Sequence, residues 1–226
     1  RACSEFVTWK LFQYLVDDRP GPPDETAREF ILALARAFRE EHRYELKPVV
    51  RTLLKSEYFY RGPHVAGLIK SPVQLVVQAV RSLNTPTRNL ATLTDALDLM
   101  GQNVFQPPSV QGWPGGRTWI NTSALFTRQN TLIFLLTGTL PQGRNWETDD
   151  RSYDPSHLVE HLSEEGTPTP EGAAHYLLRF CHGREPEPAR VAELTEFVRA
   201  NGGRLTNDIV TGMLCLITAT PEYQLC

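Results

Sequence analysis

Apolar positions recur along most of this chain at steps of three and four, the period of a helix buried on one face. Val7, Leu11, Tyr14 and Leu15 form one stripe, and Ala27, Phe30, Ile31, Leu34 and Phe38 form a second. Leu46, Val49, Val50, Leu53 and Leu54 continue the pattern. Ser71-Pro72 offers an N-cap followed by proline at the first helical position, and it opens a stripe of Val73, Val76, Val77 and Val80. Leu90, Leu93, Leu97 and Met100 make the next, with Gly101 as its stop. The run Leu125 to Leu136 reads as a further helix, closed by Gly138 and Pro141. No segment alternates with a period of two between hairpin turns, so the pattern predicts an all-α, multi-helix bundle.

The periodicity breaks between positions 105 and 122, where three prolines, three glycines, Trp113, Trp119 and Arg117 crowd together. Indoles are costly to leave in water, so this composition predicts an ordered loop with aromatic anchors rather than a flexible linker. The last third of the chain resembles the first. Trp9–Leu15 aligns with His175–Cys181, and Pro20 and Pro22 match Pro186 and Pro188 at the same offset. Two positions closer, Leu34/Val198, Val49/Met213, Leu53/Ile217 and Phe59/Tyr223 pair as like residues. The pattern is that of two pseudo-repeated three-helix units flanking the Trp/Gly/Pro loop.

Charge adds a boundary. Positions 145–165 hold seven acids (Glu147, Asp149, Asp150, Asp154, Glu160, Glu164 and Glu165) against Arg151, a local charge of −6. The whole chain carries −3, so the remainder is at +3. Thr167-Pro168-Thr169-Pro170 follows as a stiff connector. The expected division is therefore a helical domain over 1–140, an acidic connector with a short helix over 141–170, and a C-terminal helical unit over 171–226 that resembles 5–60. A chain without basic excess is not expected to bind nucleic acid, and no apolar run approaches the roughly 18 residues of a membrane span. The four cysteines (Cys3, Cys181, Cys215, Cys226) have no metal-ribbon spacing, and Cys215 lies in an apolar helical pattern as a buried thiol.

Several stretches together resemble the bacterial family catalogued as domain of unknown function 1800, in particular its C-terminal half. They are Lys70–Gln74, Met100–Pro108, Gly112–Thr122, Ala124–Asn130 and Thr220–Gln224. The resemblance implies a helical architecture and no established activity. It also implies a further helical N-terminal half and an export signal in the precursor, so the chain is expected to be a fragment or processed piece, periplasmic or on the cell surface. Members of the family often lie beside genes for sulfatase-like proteins, which implies a cell-envelope polypeptide as partner; the rest of its own precursor is another.

Three sets of residues carry candidate chemistry. In the loop, Trp113 and Trp119 offer stacking platforms for a sugar or peptide, with Arg117 and Asn121 supplying hydrogen bonds. The amides of Gly115 and Gly116 with Arg117 could instead cradle an anion. The packing alternative has the indoles plugging a gap, Arg117 binding helix C-terminal carbonyls, and Asn121 or Thr122 capping the next helix. His157-Leu158-Val159-Glu160-His161 matches the inverted zinc-peptidase motif, in which histidines at i and i+4 of an α-helix ligate zinc and the glutamate activates water. Asp154-Pro155 makes a helix start there, yet Leu158, Val159 and Leu162 define the buried side and leave the histidines on a solvated face. Asp150–Asp154 resembles half a calcium loop, but Pro155 and His161 stand where an EF-hand needs glycine and glutamate. His64 lies in a Gly62-Pro63 turn with no nucleophile nearby. No nucleophile elbow, P-loop or dinucleotide fingerprint occurs. The reading is a non-catalytic, exported interaction protein, possessing neither cofactor nor metal, with two alternatives. One is a zinc hydrolase using His157, Glu160 and His161; the other is a glycan-binding module using Trp113 and Trp119.

Overall fold

In a computed structural model the helical periods become nine α-helices among the described residues, which are 1–17, 23–60, 66–139, 149–163 and 168–226. They are α1 Ala2–Leu15, α2 Glu25–Glu40, α3 Leu46–Lys55, α4 Pro72–Ser82, α5 Leu90–Leu99, α6 Thr122–Thr137, α7 Pro170–His182, α8 Pro188–Ala200 and α9 Asn207–Thr218. The described residues form no sheet, and the fold is all-α. Pro20, Pro22, Gly62, Pro63, His64, Pro141, Glu147, Glu164, Glu165 and Thr167 lie outside the described residues, as does the side chain of His161.

The chain divides into two units, Arg1–Leu68 with Cys226, and Ile69–Leu225. In the first, α1, α2 and α3 close on a core of Phe12, Val16, Ile31, Leu34, Phe38, Val49, Leu53 and Tyr58. Phe30 stacks on Tyr58 with ring centroids 5.1 Å apart. Helix α2 starts where Asp24 accepts from the Ala27 N–H at 2.8 Å. The buried stripe of α1 differs from the one hydropathy picks out. It runs through Ser4, Thr8, Phe12 and Val16, while Tyr14 faces solvent. The reason is local: Ser4 Oγ donates to Arg1 O and Thr8 Oγ1 to Ser4 O, both at 2.8 Å. With their hydrogens used on the helix itself, these small side chains bury like alanines.

The second unit is built around α6, which packs against α4, α5 and α9. From Thr127 to Leu136 nearly every face of α6 is buried, as a central helix requires. Helix α4 opens with a capping box: Ser71 Oγ accepts from Gln74 N–H at 3.2 Å and Gln74 Oε1 from Ser71 N–H at 2.8 Å. Its buried face centres on Leu75, Val76 and Ala79, with Val77 exposed, so the valine stripe sits one step off the true core line. Gly138 ends α6 at φ +73. A Cβ there would lie 2.1 Å from Asp149 O, so both conformation and space demand glycine.

Composition pointed to a division between 140 and 170, but the contacts divide the chain at 68/69. The described part of the acidic stretch, 149–163, contributes to the interior. Leu158 and Val159 enter the large core of the second unit, and the Tyr153 hydroxyl donates to Leu83 O at 2.6 Å. The triples α1–α3 and α7–α9 share an order and a pairing of helices. They also share a turn: Ser56 Oγ donates to Leu53 O at 2.7 Å, and Thr220 Oγ1 to Ile217 O at 2.7 Å. Phe59 N–H then bonds Ser56 O, as Tyr223 N–H bonds Thr220 O.

Candidate functional site

The segment from Met100 to Asn121 joins α5 to α6, and each of its ends is closed by a helix terminus. At the first, Gly101 (φ +89) forms a Schellman stop, its N–H bonding Asp98 O at 2.8 Å while Gln102 N–H bonds Leu97 O at 2.9 Å. Gln102 Oε1 then accepts from Val73 N–H at 2.9 Å, supplying an orphan donor at the start of α4 with a partner. At the other end Asn121 Oδ1 accepts from Ala124 N–H at 2.9 Å and starts α6. Between these points, 3-10 helix covers Gly116–Trp119, tightened by Thr118 Oγ1 donating to Gly115 O at 2.6 Å.

The two tryptophans have different roles. Trp119 is 5% exposed and is seated between two glycines, a Cβ on Gly101 falling 3.9 Å from its ring and one on Gly115 4.0 Å from Nε1. It is the anchor of the loop. Trp113 is half-buried and walls a cleft of about 280 Å³ with Leu99, Met100, Gly101, Pro108, Pro114, Thr118, Trp119 and Asn121. Arg117 is exposed and bonds to no helix carbonyl or carboxylate among the described residues, so the expectation that it binds helix C-terminal carbonyls is not met. That task falls to Arg88: its Nε and one Nη donate to Leu135 O at 3.2 and 3.1 Å near the end of α6.

Phe105 is the feature hydropathy did not single out. Its backbone is at φ +65, a region costly for an aromatic residue, and its side chain is 94% exposed. Val104, one position earlier, packs against the core, and Asn103 and Gln106 bond each other across the turn. The turn therefore holds Phe105 outward. Val110, further along the same loop, is also fully exposed.

The histidine–glutamate motif falls on different backbone from that which zinc chemistry needs. Ser156–Leu158 and Glu160–Ser163 are two short 3-10 turns in place of the expected α-helix. Asp154 Oδ1 accepts from Ser156 N–H at 2.9 Å, His157 Nδ1 contacts Asp154 O at 3.1 Å, and Ser156 Oγ donates to Glu160 at 3.2 Å. These local bonds compete with helix formation, and a 3-10 path does not stack i with i+4. His157 and Glu160 are exposed and Leu158 and Val159 buried, the sidedness expected. Among the described residues no group of three His, Cys, Asp or Glu side chains forms a metal site. In the half calcium loop Asp154 Oδ1 is taken by Ser156 N–H and the Tyr153 hydroxyl bonds Leu83 O, while Asp150 is exposed. Asp149 pairs with Arg88 at 3.1 Å and with Arg151, and the Arg151 guanidinium holds its carboxyl well below the usual carboxylate range.

Two buried cations were also missed. Arg128 on α6 is fully buried, donating to Lys70 O at 2.6 Å and Gln224 Oε1 at 3.2 Å. Burial lowers its guanidinium to about 10. Lys70, itself buried, donates to Tyr223 O at 2.7 Å and lies 4.2 Å from the centre of the Tyr223 ring. The stretches at Lys70, Arg128 and Thr220–Gln224 thus meet in one internal knot. Cys181 is the buried thiol, pushed up to about 12 by desolvation, whereas Cys215 is half-exposed. His182 Nε2 bonds Thr220 Oγ1 at 3.0 Å.

No described helix is long and apolar enough to cross a membrane. Residues 1–225 match the family model described as "Protein of unknown function (DUF1800)". No curated protein and no solved structure matches the chain.

Proposed function

The chain belongs to the DUF1800 family of proteins of unknown function, and on that footing we propose that it is a non-catalytic interaction protein of the cell envelope that holds a polypeptide partner through the loop between α5 and α6. The observation that carries this reading is Phe105, an aromatic side chain in a strained backbone conformation and almost wholly in water. Such strain costs on the order of 1–3 kcal/mol and persists where the surroundings over-determine it. Here a half-buried Val104 packed against the core, the Asn103–Gln106 turn and Pro107 do so. Aromatic residues presented by a rigid frame are the usual anchors of protein–protein contacts, since little side-chain entropy is lost when they bind. Export to the periplasm or cell surface belongs to the same proposal and is supported by the family resemblance of the stretches quoted above.

The test places a photo-cross-linking residue at Phe105 in the protein expressed in its source cells, with Arg199 on α8 as the control position. A single discrete adduct at 105, missing at 199, is expected in the envelope fraction. Cross-linking that is equal at both positions, or native mass spectrometry of source-derived material giving a bare monomer, would sink the reading.

A further inference from the structure

We propose that the outer face of α3 is a further interaction surface, and that it takes an acidic amphipathic helix of a partner polypeptide. Helix α3 belongs to the first unit and the loop between α5 and α6 to the second, so this goes beyond the reading of the loop and does not depend on it.

Helix α3 sets two lines of side chains beside its buried one. Val49 and Leu53 are fully buried. Leu46, Val50 and Leu54 recur at steps of four next to them, Leu46 being 51% exposed and the other two half-buried. Lys47, Arg51 and Lys55 make the next line around the helix, and all three are exposed. The helix contains no acid, and among the described residues none of the three cations bonds to a carboxylate.

The C-terminal triple shows how such a face is covered. Helix α9 holds the place in α7–α9 that α3 holds in α1–α3, with the same turn after each. Its Met213 and Ile217 match Val49 and Leu53, and all four are fully buried. The positions that match Leu46, Val50 and Leu54 are Val210, Leu214 and Thr218, and these are sealed, at 1% exposure or less. The two helices differ in their neighbours. Helix α3 packs on α1 and α2, whereas α9 packs on α7 and α8 and also on α6. A further helix is what covers this line in α9, using the ridge that residues four apart make. On α3 the same line is left partly open to water.

Charge selects the helix that fits. Where α9 has Thr211, Cys215 and Ala219, all uncharged, α3 has Lys47, Arg51 and Lys55. A helix seated on Leu46, Val50 and Leu54 runs its flank along three cations four residues apart, and carboxylates at the same spacing pair with them. An antiparallel second copy of α3 would bring like charges together. An anionic membrane calls for a wide apolar face with aromatic residues that enter the lipid. Here the open apolar line is one residue wide and α3 holds no aromatic.

In the test, a photo-cross-linking residue replaces Leu46 in the protein expressed in its source cells, with exposed Thr52 on another face of α3 as the control, and the adducted peptide is sequenced by mass spectrometry. Position 46 is expected to yield one peptide of another polypeptide, with apolar residues and carboxylates recurring at steps of three and four, and position 52 none. Lys47→Glu with Arg51→Glu should cut the yield about tenfold, and Lys47→Arg with Arg51→Lys should keep it, both with the thermal midpoint of the parent. A phospholipid adduct, an adduct to a second copy of α3, a peptide without acids, equal yield at position 52 or no adduct overturns the proposal. Full yield in the charge-reversed protein, or its loss in the charge-conserving one, does so too. An adduct at position 105 bears on the loop alone, so the two readings fail separately.

Discussion

In the loop between α5 and α6 Trp113 walls an open cleft, and Phe105 and Val110 stand in water. Around Arg88 and Arg128 the opposite holds: two guanidinium groups are sealed inside, each bonded to backbone carbonyls from distant positions. Both regions come from stretches that look alike on paper, an arginine among apolar and small residues. The difference teaches how to tell a residue that serves the fold from one available to a partner. A buried charge is held by internal acceptors, because each hydrogen left unmatched costs about 1–3 kcal/mol; both Nη atoms of Arg128 have an acceptor, and its buried Nε has none among the described residues. A strained, exposed aromatic contributes nothing to the core and is maintained at a cost to stability. Substitutions in the two regions should therefore move stability in opposite directions.

The sharpest contrast starts with Arg128→Ala. It removes charge-assisted bonds to Lys70 O and Gln224 Oε1 and leaves a void between those partners, partly offset by release of a buried cation. A loss of roughly 3–4 kcal/mol is expected in urea unfolding. Gly138→Ala should come next, at roughly 2–3 kcal/mol, because its Cβ meets Asp149 O and crowds Arg88. A stability within 0.5 kcal/mol of the parent (about the noise of a surface change) would show that this knot yields easily and break the comparison.

Alkaline titration probes the same interior. The Cys181 thiol rises from 9.0 to about 12 on burial, and the Tyr223 and Tyr153 phenols also move upward for the same reason. A folded value above the unfolded one means that the stabilisation is complete below the unfolded value and is lost as pH rises toward the folded one. Stability should thus fall between about pH 9 and 12, by about 1.4 kcal/mol per pH unit for the thiol. Chemical denaturation at pH 8 and 10 measures it, and Cys181→Ala should flatten the slope. The smallest effect belongs to the loop. Phe105→Gly relieves a positive φ and should raise stability by about 1 kcal/mol while removing the aromatic anchor, so that the partner no longer co-purifies. A Phe105→Gly protein less stable than its parent would put Phe105 on the side of the fold and erase the distinction.

Much of the helical plan could be read along the chain because caps and periods are local. Ser71-Pro72, Asn121 and Gly138 each act within a few residues of their own position, and each ends or begins a helix where expected. The packed face of α1 was not legible, since Ser4 and Thr8 read as polar until their hydroxyls are seen bonded to the helix backbone. The segment around His157 misled for a related reason. Its apolar sidedness was right, but Asp154 and Ser156 bonds divert the backbone into 3-10 turns. The candidate site was half visible. Its tryptophans, glycines and prolines announced an ordered loop, yet hydropathy could not say that Trp119 anchors while Trp113 opens onto a cleft.

By itself, then, the order of residues determined the all-α class, the helix limits at capped ends and the presence of a rigid aromatic loop, because these depend on interactions across three or four positions. Only the tertiary structure decided which cations are buried, where the chain divides into units, and that Phe105 is held outward. Arg128 meets a carbonyl 58 positions away and a carboxamide 96 away, and Arg88 a carbonyl 47 away. Whether a guanidinium is solvated or sealed depends on which distant groups arrive beside it, and no local pattern along the chain records that.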